Sequence, residues 1–118
     1  MRVLVCGSRG WVDEDFVAQV LDRLHLTSAD TIVEGCARGA DQITERVSVT
    51  FHINLEHHPV ELDDWKRLGK KAGLVRNMKM LDSDIDLVVA FWDGESRGTD
   101  FTIREAQRRK IPVKVYYA

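Results

Sequence analysis

Three apolar runs constrain this chain more than any other feature: "RVLVCG" at 2–7, "DTIVEG" at 30–35 and "DLVVAF" at 86–91. Each lacks the polar alternation of a half-solvated strand and is followed by glycine and charge. Such runs are typical of strands covered on both faces, which is the situation inside a parallel sheet. Between them the period changes. Phe16, Val17, Val20, Leu21 and Leu24 recur at helical spacing from Asp13, with Asp13, Glu14 and Asp15 at the positive end. Ala40, Ile43 and Val47 mark a second helix, Leu74, Val75, Met78 and Leu81 a third ending near "DSD", and a fourth runs from about Thr99 to Arg109.

Two further runs read differently. "INLEHHPV" at 53–60 alternates Ile53, Leu55 and His57 against Asn54, Glu56 and His58, and "IPVKVYY" at 111–117 places Val113 and Val115 on one side. Alternation of this kind suits sheet edges. "ELDDW" at 61–65 reads as a loop. Strands alternating with helical crossovers predict an α/β fold: a five-stranded parallel sheet between two helical layers, one domain over 1–118. Right-handed crossovers with the alternating strands outermost give the order 3-2-1-4-5. That order reverses direction between strands one and four, and ligands of open α/β sheets bind at such a switch point.

Length and composition are consistent with this. At 118 residues and 44% hydrophobic, the chain supports one core and not two. A formal charge of −2 gives no overall attraction for polyanions. The opening "MRVLVCGSRG" is too briefly apolar for a secretory signal and no later stretch approaches a membrane span, so a cytoplasmic location without membrane contact is expected. Cys6 and Cys36 have neither zinc-site spacing nor the numbers for a disulfide framework, and two buried thiols are expected.

The chemistry concentrates in the loops. "GSRGW" at 7–11 follows the first strand, "GCARGAD" at 35–41 the second and "FWDGESRGTD" at 91–100 the fourth. Each couples glycine to arginine at a helix entry. Glycine admits a ligand close to backbone N–H groups, a helix N-terminus favours an anion, and arginine grips phosphate through a planar fork. Any one loop read alone is more simply a turn with solvated or paired arginines. Three at one predicted edge favour a phosphate pocket built on Gly7, Ser8, Arg9, Gly35, Arg38, Gly39, Asp41, Asp93, Ser96, Arg97, Gly98 and Thr99. Trp11 and Trp92 would cover a base or exclude water. Arg76 and Asn77, in "GLVRNMKM", either face this crevice or lie on the outer helix surface; spacing does not decide. No loop matches a Walker sequence or G-x-G-x-x-G.

Other constellations are weaker. His57 and His58 are adjacent and point to opposite faces of a strand, which suits one metal poorly. Asp63 and Asp64 read as a turn or helix cap rather than ion ligands. No metal and no cofactor are therefore expected. The basic runs "KRLGKK" and "REAQRRK" lack an aromatic stacking platform and read as solvated helix faces, so nucleic acid is not expected as a partner.

Taken together, "GSRGW" at 7–11, "GCARGAD" at 35–41, "DDWKRLGKKAGLVRNMKM" at 63–80, "DLVVAFWDGESRGT" at 86–99 and "IPVKV" at 111–115 resemble the SLOG superfamily of Rossmann-like proteins, in its small YspA-like branch. The resemblance implies a nucleotide-derived small-molecule ligand, such as an ADP-ribose-like compound, and a homo-oligomer. The related LOG group hydrolyses the N-glycosidic bond of cytokinin nucleoside monophosphates, with an R-K-x-x-M segment, P-G-G-x-G-T and a following glutamate. Arg76 and Met80 match the first segment, but Asn77 replaces its lysine. Gly98 and Thr99 match the second, with Gly94, Glu95 and Ser96 at its proline and double-glycine positions. Phe101 and Thr102 stand where the glutamate is expected. If this chain is a hydrolase, Glu95 or Asp100 is the catalytic carboxylate, with Asp93 as a further substitute. Binding or sensing of a phosphorylated nucleoside is the leading expectation; hydrolysis is the alternative.

Overall fold

The computed structural model describes residues 1–35 and 39–117, the side chain of residue 70 excepted. Five strands form one sheet: β1 (Arg2–Gly7), β2 (Thr31–Glu34), β3 (Asn54–His57), β4 (Leu87–Trp92) and β5 (Val113–Tyr117). Their order is β3-β2-β1-β4-β5, and every neighbouring pair is parallel. This is the expected order, with the alternating strands at the edges. Val3, Leu4 and Val5 of β1 and Val88 to Phe91 of β4 are fully buried, while β3 and β5 have no buried residue.

The helices are α1 (Glu14–Arg23), α2 (Ala40–Thr50), α3 (Leu62–Leu68), α4 (Ala72–Leu81) and α5 (Arg97–Arg108). Pleating sends successive strand residues to opposite layers. Val3, Val5, Ile32, Val89 and Phe91 pack under α1 and α2, against Val17, Val20, Leu21, Ile43 and Val47. Leu4, Cys6, Val33, Val88 and Ala90 pack on the other face, against Met80, Leu81, Ile103 and Ala106 of α4 and α5. One strand thus feeds both cores, which is why its sequence shows no alternation.

Local chemistry sets the helix entries. Asp13 caps α1, its carboxylate accepting the Phe16 N–H at 3.1 Å, with Glu14 and Asp15 in the first turn. Gly39 precedes α2 at φ +70°, and a Cβ there would lie 2.4 Å from the Arg9 carbonyl oxygen and 2.5 Å from that of Ser8. Only glycine lets the second loop pass so close to the first.

One element departs from expectation. "ELDDW" is not all loop: α3 covers Leu62–Leu68 and leads through a 3-10 turn, Gly69–Lys71, into α4. The helix escapes a periodicity reading because two of its apolar residues, Leu62 and Trp65, are exposed. Polar contacts tie it down instead. Asp64 is buried and accepts from Arg67 Nη2 at 3.0 Å and Lys79 Nζ at 3.2 Å. These two cations hold its carboxyl below the usual range.

Candidate functional site

β1 and β4 pair in register up to Gly7 opposite Phe91, so their carboxyl ends open at the same level of the sheet. A crevice of about 670 Å³ lies there, lined by residues that include Gly7, Arg9, Asp41, Arg76, Asn77 and Arg97. Asp93, Ser96, Gly98 and Thr99 also line it, so the first and fourth loops and the start of α2 share one hollow, as the topology requires. Arg38 lies outside the described residues, as does Cys36.

The loops are stitched together by Ser8. This residue is buried, and its N–H donates to the Phe91 carbonyl at 2.9 Å. Its hydroxyl accepts the Asp93 N–H at 2.9 Å and lies 3.1 Å from Ser96 Oγ. Asp93 Oδ1 accepts the N–H groups of Glu95 and Ser96, both at 2.8 Å, which folds the loop into an Asx-type turn ahead of α5. The Glu95 N–H and then the Ser96 N–H hold the Asp93 carboxyl below its ordinary range. Ser8 therefore shapes the crevice from behind and does not line it.

The opposite wall comes from α4. Arg76 Nη1 donates to the Gly35 carbonyl at 2.5 Å, and Nε donates to Asn77 Oδ1 at 2.8 Å. Asn77 is buried and its Nδ2 lies 3.5 Å from the Gly98 carbonyl oxygen, reaching the first turn of α5. Arg76 and Asn77 of "GLVRNMKM" thus both line the crevice. Thr99 is buried beside them.

The charge balance favours an anion. Arg9, Lys71, Arg76 and Arg97 line the crevice against Asp41 and Asp93, and the N-terminus of α5 opens into it through Gly98 and Thr99. Arg9, Lys71 and Arg97 are exposed, so their charges are available to an entering ligand. The sequence does not single out Lys71, because "KRLGKK" reads as a solvated basic face and the 3-10 turn has no periodicity to mark it.

Several expected residues sit elsewhere. Trp11 is 6% exposed and belongs to the core, its ring centroid 5.3 Å from that of Phe91 and 6.0 Å from that of Phe16. Trp92 packs on Tyr117 at 5.7 Å and donates its indole N–H to the Ser96 carbonyl at 3.0 Å. Neither ring lines the crevice. Glu95 and Asp100 also fall outside its lining; Asp100 accepts from Arg104 Nε at 3.0 Å on α5. The carboxylates that do face it are Asp41 and Asp93.

Cys6 lines the crevice and is buried. Burial, followed by the Asp41 carboxylate, pushes its thiol far above the ordinary value, while Arg76 pulls the other way. A thiol held protonated is a poor nucleophile. Another hollow, of about 450 Å³, lies at the opposite end of the sheet between the C-terminal ends of α1 and α2, lined by His25, Phe51 and His52 among others. Helix C-termini carry partial negative charge and suit an anion poorly.

An open, doubly wound α/β sheet with basic, glycine-rich loops over its switch point defines a Rossmann-like domain. Residues 1–67 match the family described as YspA, cpYpsA-related SLOG, and this chain belongs to that family. It is 41% identical over 119 residues to the Gene 61 protein of Mycobacterium phage D29, covering 95% of this chain and 93% of that protein. In three dimensions it is similar to DNA processing protein A (DprA) from Streptococcus pneumoniae, with a TM-score of 0.78 at 19% identity over 97% of this chain. This chain spans 49% of that one. UDP-GlcNAc 2-epimerase from Neisseria meningitidis, solved with UDP-GlcNAc bound, superposes with a TM-score of 0.55 at 16% identity, covering 98% of this chain and 32% of the epimerase. At such identities these two likenesses describe the fold. Among the described residues no helix is long and apolar enough to cross a membrane.

Proposed function

We propose that this domain binds or senses a nucleotide-derived, phosphorylated small molecule in the crevice above β1 and β4. The observation that carries the reading is the meeting of Arg9, Lys71 and Arg97 with the α5 N-terminus in one hollow. Phosphate would sit against Gly98 and Thr99, where backbone N–H groups and the helix dipole add to the guanidinium charges. Arg76 and Asn77 would present the remaining polar surface to ribose. Membership of the SLOG family agrees, since its domains generally bind nucleotide-derived ligands.

Calorimetry against AMP, ADP-ribose, NAD and cyclic nucleotides tests this. The expected outcome is saturable binding that weakens as salt rises. No heat at millimolar ligand would overturn it.

Cleavage of a nucleoside monophosphate remains the enzymatic alternative. It would call on Asp41 or Asp93, because Glu95 and Asp100 are not among the residues that line the hollow. Asp93 already spends Oδ1 on two backbone N–H groups, which favours binding over hydrolysis. Release of free base from nucleoside monophosphates separates the two.

A further inference from the structure

The geometry points to a second site: a divalent first-row metal ion, Zn²⁺ or Mn²⁺, held by Glu34, Glu45 and His57. The three donors come from three elements, the ends of β2 and β3 and the body of α2. Glu34 and His57 are register partners across the β2–β3 ladder. The Glu34 carboxylate touches His57 Nδ1, and Glu45 Oε1 lies 3.4 Å from the same nitrogen. One ligand atom from each residue falls within 4.8 Å of the others. Donors bound at about 2.0–2.2 Å to one such ion stand roughly 3 Å apart, so modest side-chain rotation would close the set.

The chemistry of the set is specific. Glu34 is fully buried, which fixes one carboxylate donor in place at the end of β2. Two carboxylates and a neutral imidazole carry a charge matched by a divalent ion, and mixed oxygen–nitrogen donors suit Mn²⁺ and Zn²⁺ better than Mg²⁺ or Ca²⁺. His57 is half-exposed and Glu45 partly so, which leaves an entry path from solvent. None of the three lines the crevice, so this site is separate from the nucleotide reading. It adjoins it through the chain: Glu34 immediately precedes Gly35, whose carbonyl Arg76 holds. An ion here would brace the strand end that carries that contact.

The adjacent pair His57–His58 gave no hint of it, because the partners of His57 lie on other elements. His58 instead approaches Glu56 Oε2 at 3.1 Å.

The test is calorimetric titration of the unmodified chain with Zn²⁺ and with Mn²⁺, repeated on Glu45→Gln and His57→Gln. Both substitutions fall on residues that reach solvent, and circular dichroism verifies that each variant folds. One equivalent of ion should bind the unmodified chain with micromolar affinity or better, and each variant should lose at least tenfold. On the unmodified chain, Mn²⁺ should broaden the His57 ring signals in NMR before those of His25, His52 and His58. Absence of saturable binding overturns the site. Undiminished affinity in either variant, or broadening centred on another histidine, also overturns it.

Discussion

The Arg76 guanidinium lies so close to Gly35 that a Cβ at position 35 would fall 2.4 Å from Nη1 and 2.6 Å from Cζ. The same Nη1 donates to the Gly35 carbonyl. Helix α4 and the end of β2 are therefore joined, beside the crevice wall that Arg76 lines, by a contact that leaves no room for a Cβ. Gly35→Ala should displace the flexible end of the Arg76 side chain, cost about 0.5–1.5 kcal/mol through the lost hydrogen bond and weaken nucleotide binding. Chemical denaturation and calorimetry on the same variant check both effects.

Ser8 makes a different prediction. Its hydroxyl satisfies the Asp93 N–H from within the protein, so Ser8→Ala would leave that donor without its acceptor. A loss of about 1–3 kcal/mol is expected, measurable in urea. Ser8→Thr would keep the oxygen but add a methyl to a buried site, and should recover only part of the loss.

Arg9 and Arg97 are exposed at the crevice rim, so alanine at either should leave stability within about 0.5 kcal/mol. Affinity for ADP-ribose should nevertheless fall about tenfold, equivalent to ~1.4 kcal/mol. The salt dependence of binding should flatten in both variants. Unchanged affinity in both would remove the electrostatic basis of the proposed function.

Trp11 separates core from ligand cover. Its contacts with Phe16 and Phe91 place it inside the α1–α2 layer, so Trp11→Ala should cost about 3–5 kcal/mol. A thermal melt reads this directly. An unchanged melting temperature would mean the ring is not a core element.

Acid stability follows from Glu105. The Arg108 and then the Arg109 guanidinium lower its carboxyl from 4.5 to about 2. A carboxylate whose folded value is depressed binds fewer protons folded than unfolded, so its stabilisation is present above pH 4.5 and is lost as pH falls towards about 2. Glu105→Gln should therefore flatten the decline in stability over that window. Because Arg108 is exposed, the effect should also shrink in high salt.

The architecture was legible because strand burial writes itself into composition. β1 and β4 feed cores on both faces and show unbroken apolar runs, while β3 and β5 lie at edges and alternate. Sheet order followed from that contrast and the handedness of crossovers. The loops of the crevice were legible for a related reason: topology alone brings the ends of β1 and β4 to one place.

Side-chain placement was not legible, and that decides which residues line the crevice. Trp11 and Arg9 are two residues apart in one loop, yet one enters the core and the other lines the crevice. Glu95 and Asp100 sit beside the motif and still fall outside the lining, whereas Lys71 reaches the hollow through a short turn that periodicity does not announce. Glu34, Glu45 and His57 met only on folding. Apolar periodicity is a local property summed along the chain, so the sequence alone settled which segments form the layers. Which polar atoms converge depends on rotamers and on contacts between distant elements, and only the tertiary structure could decide that.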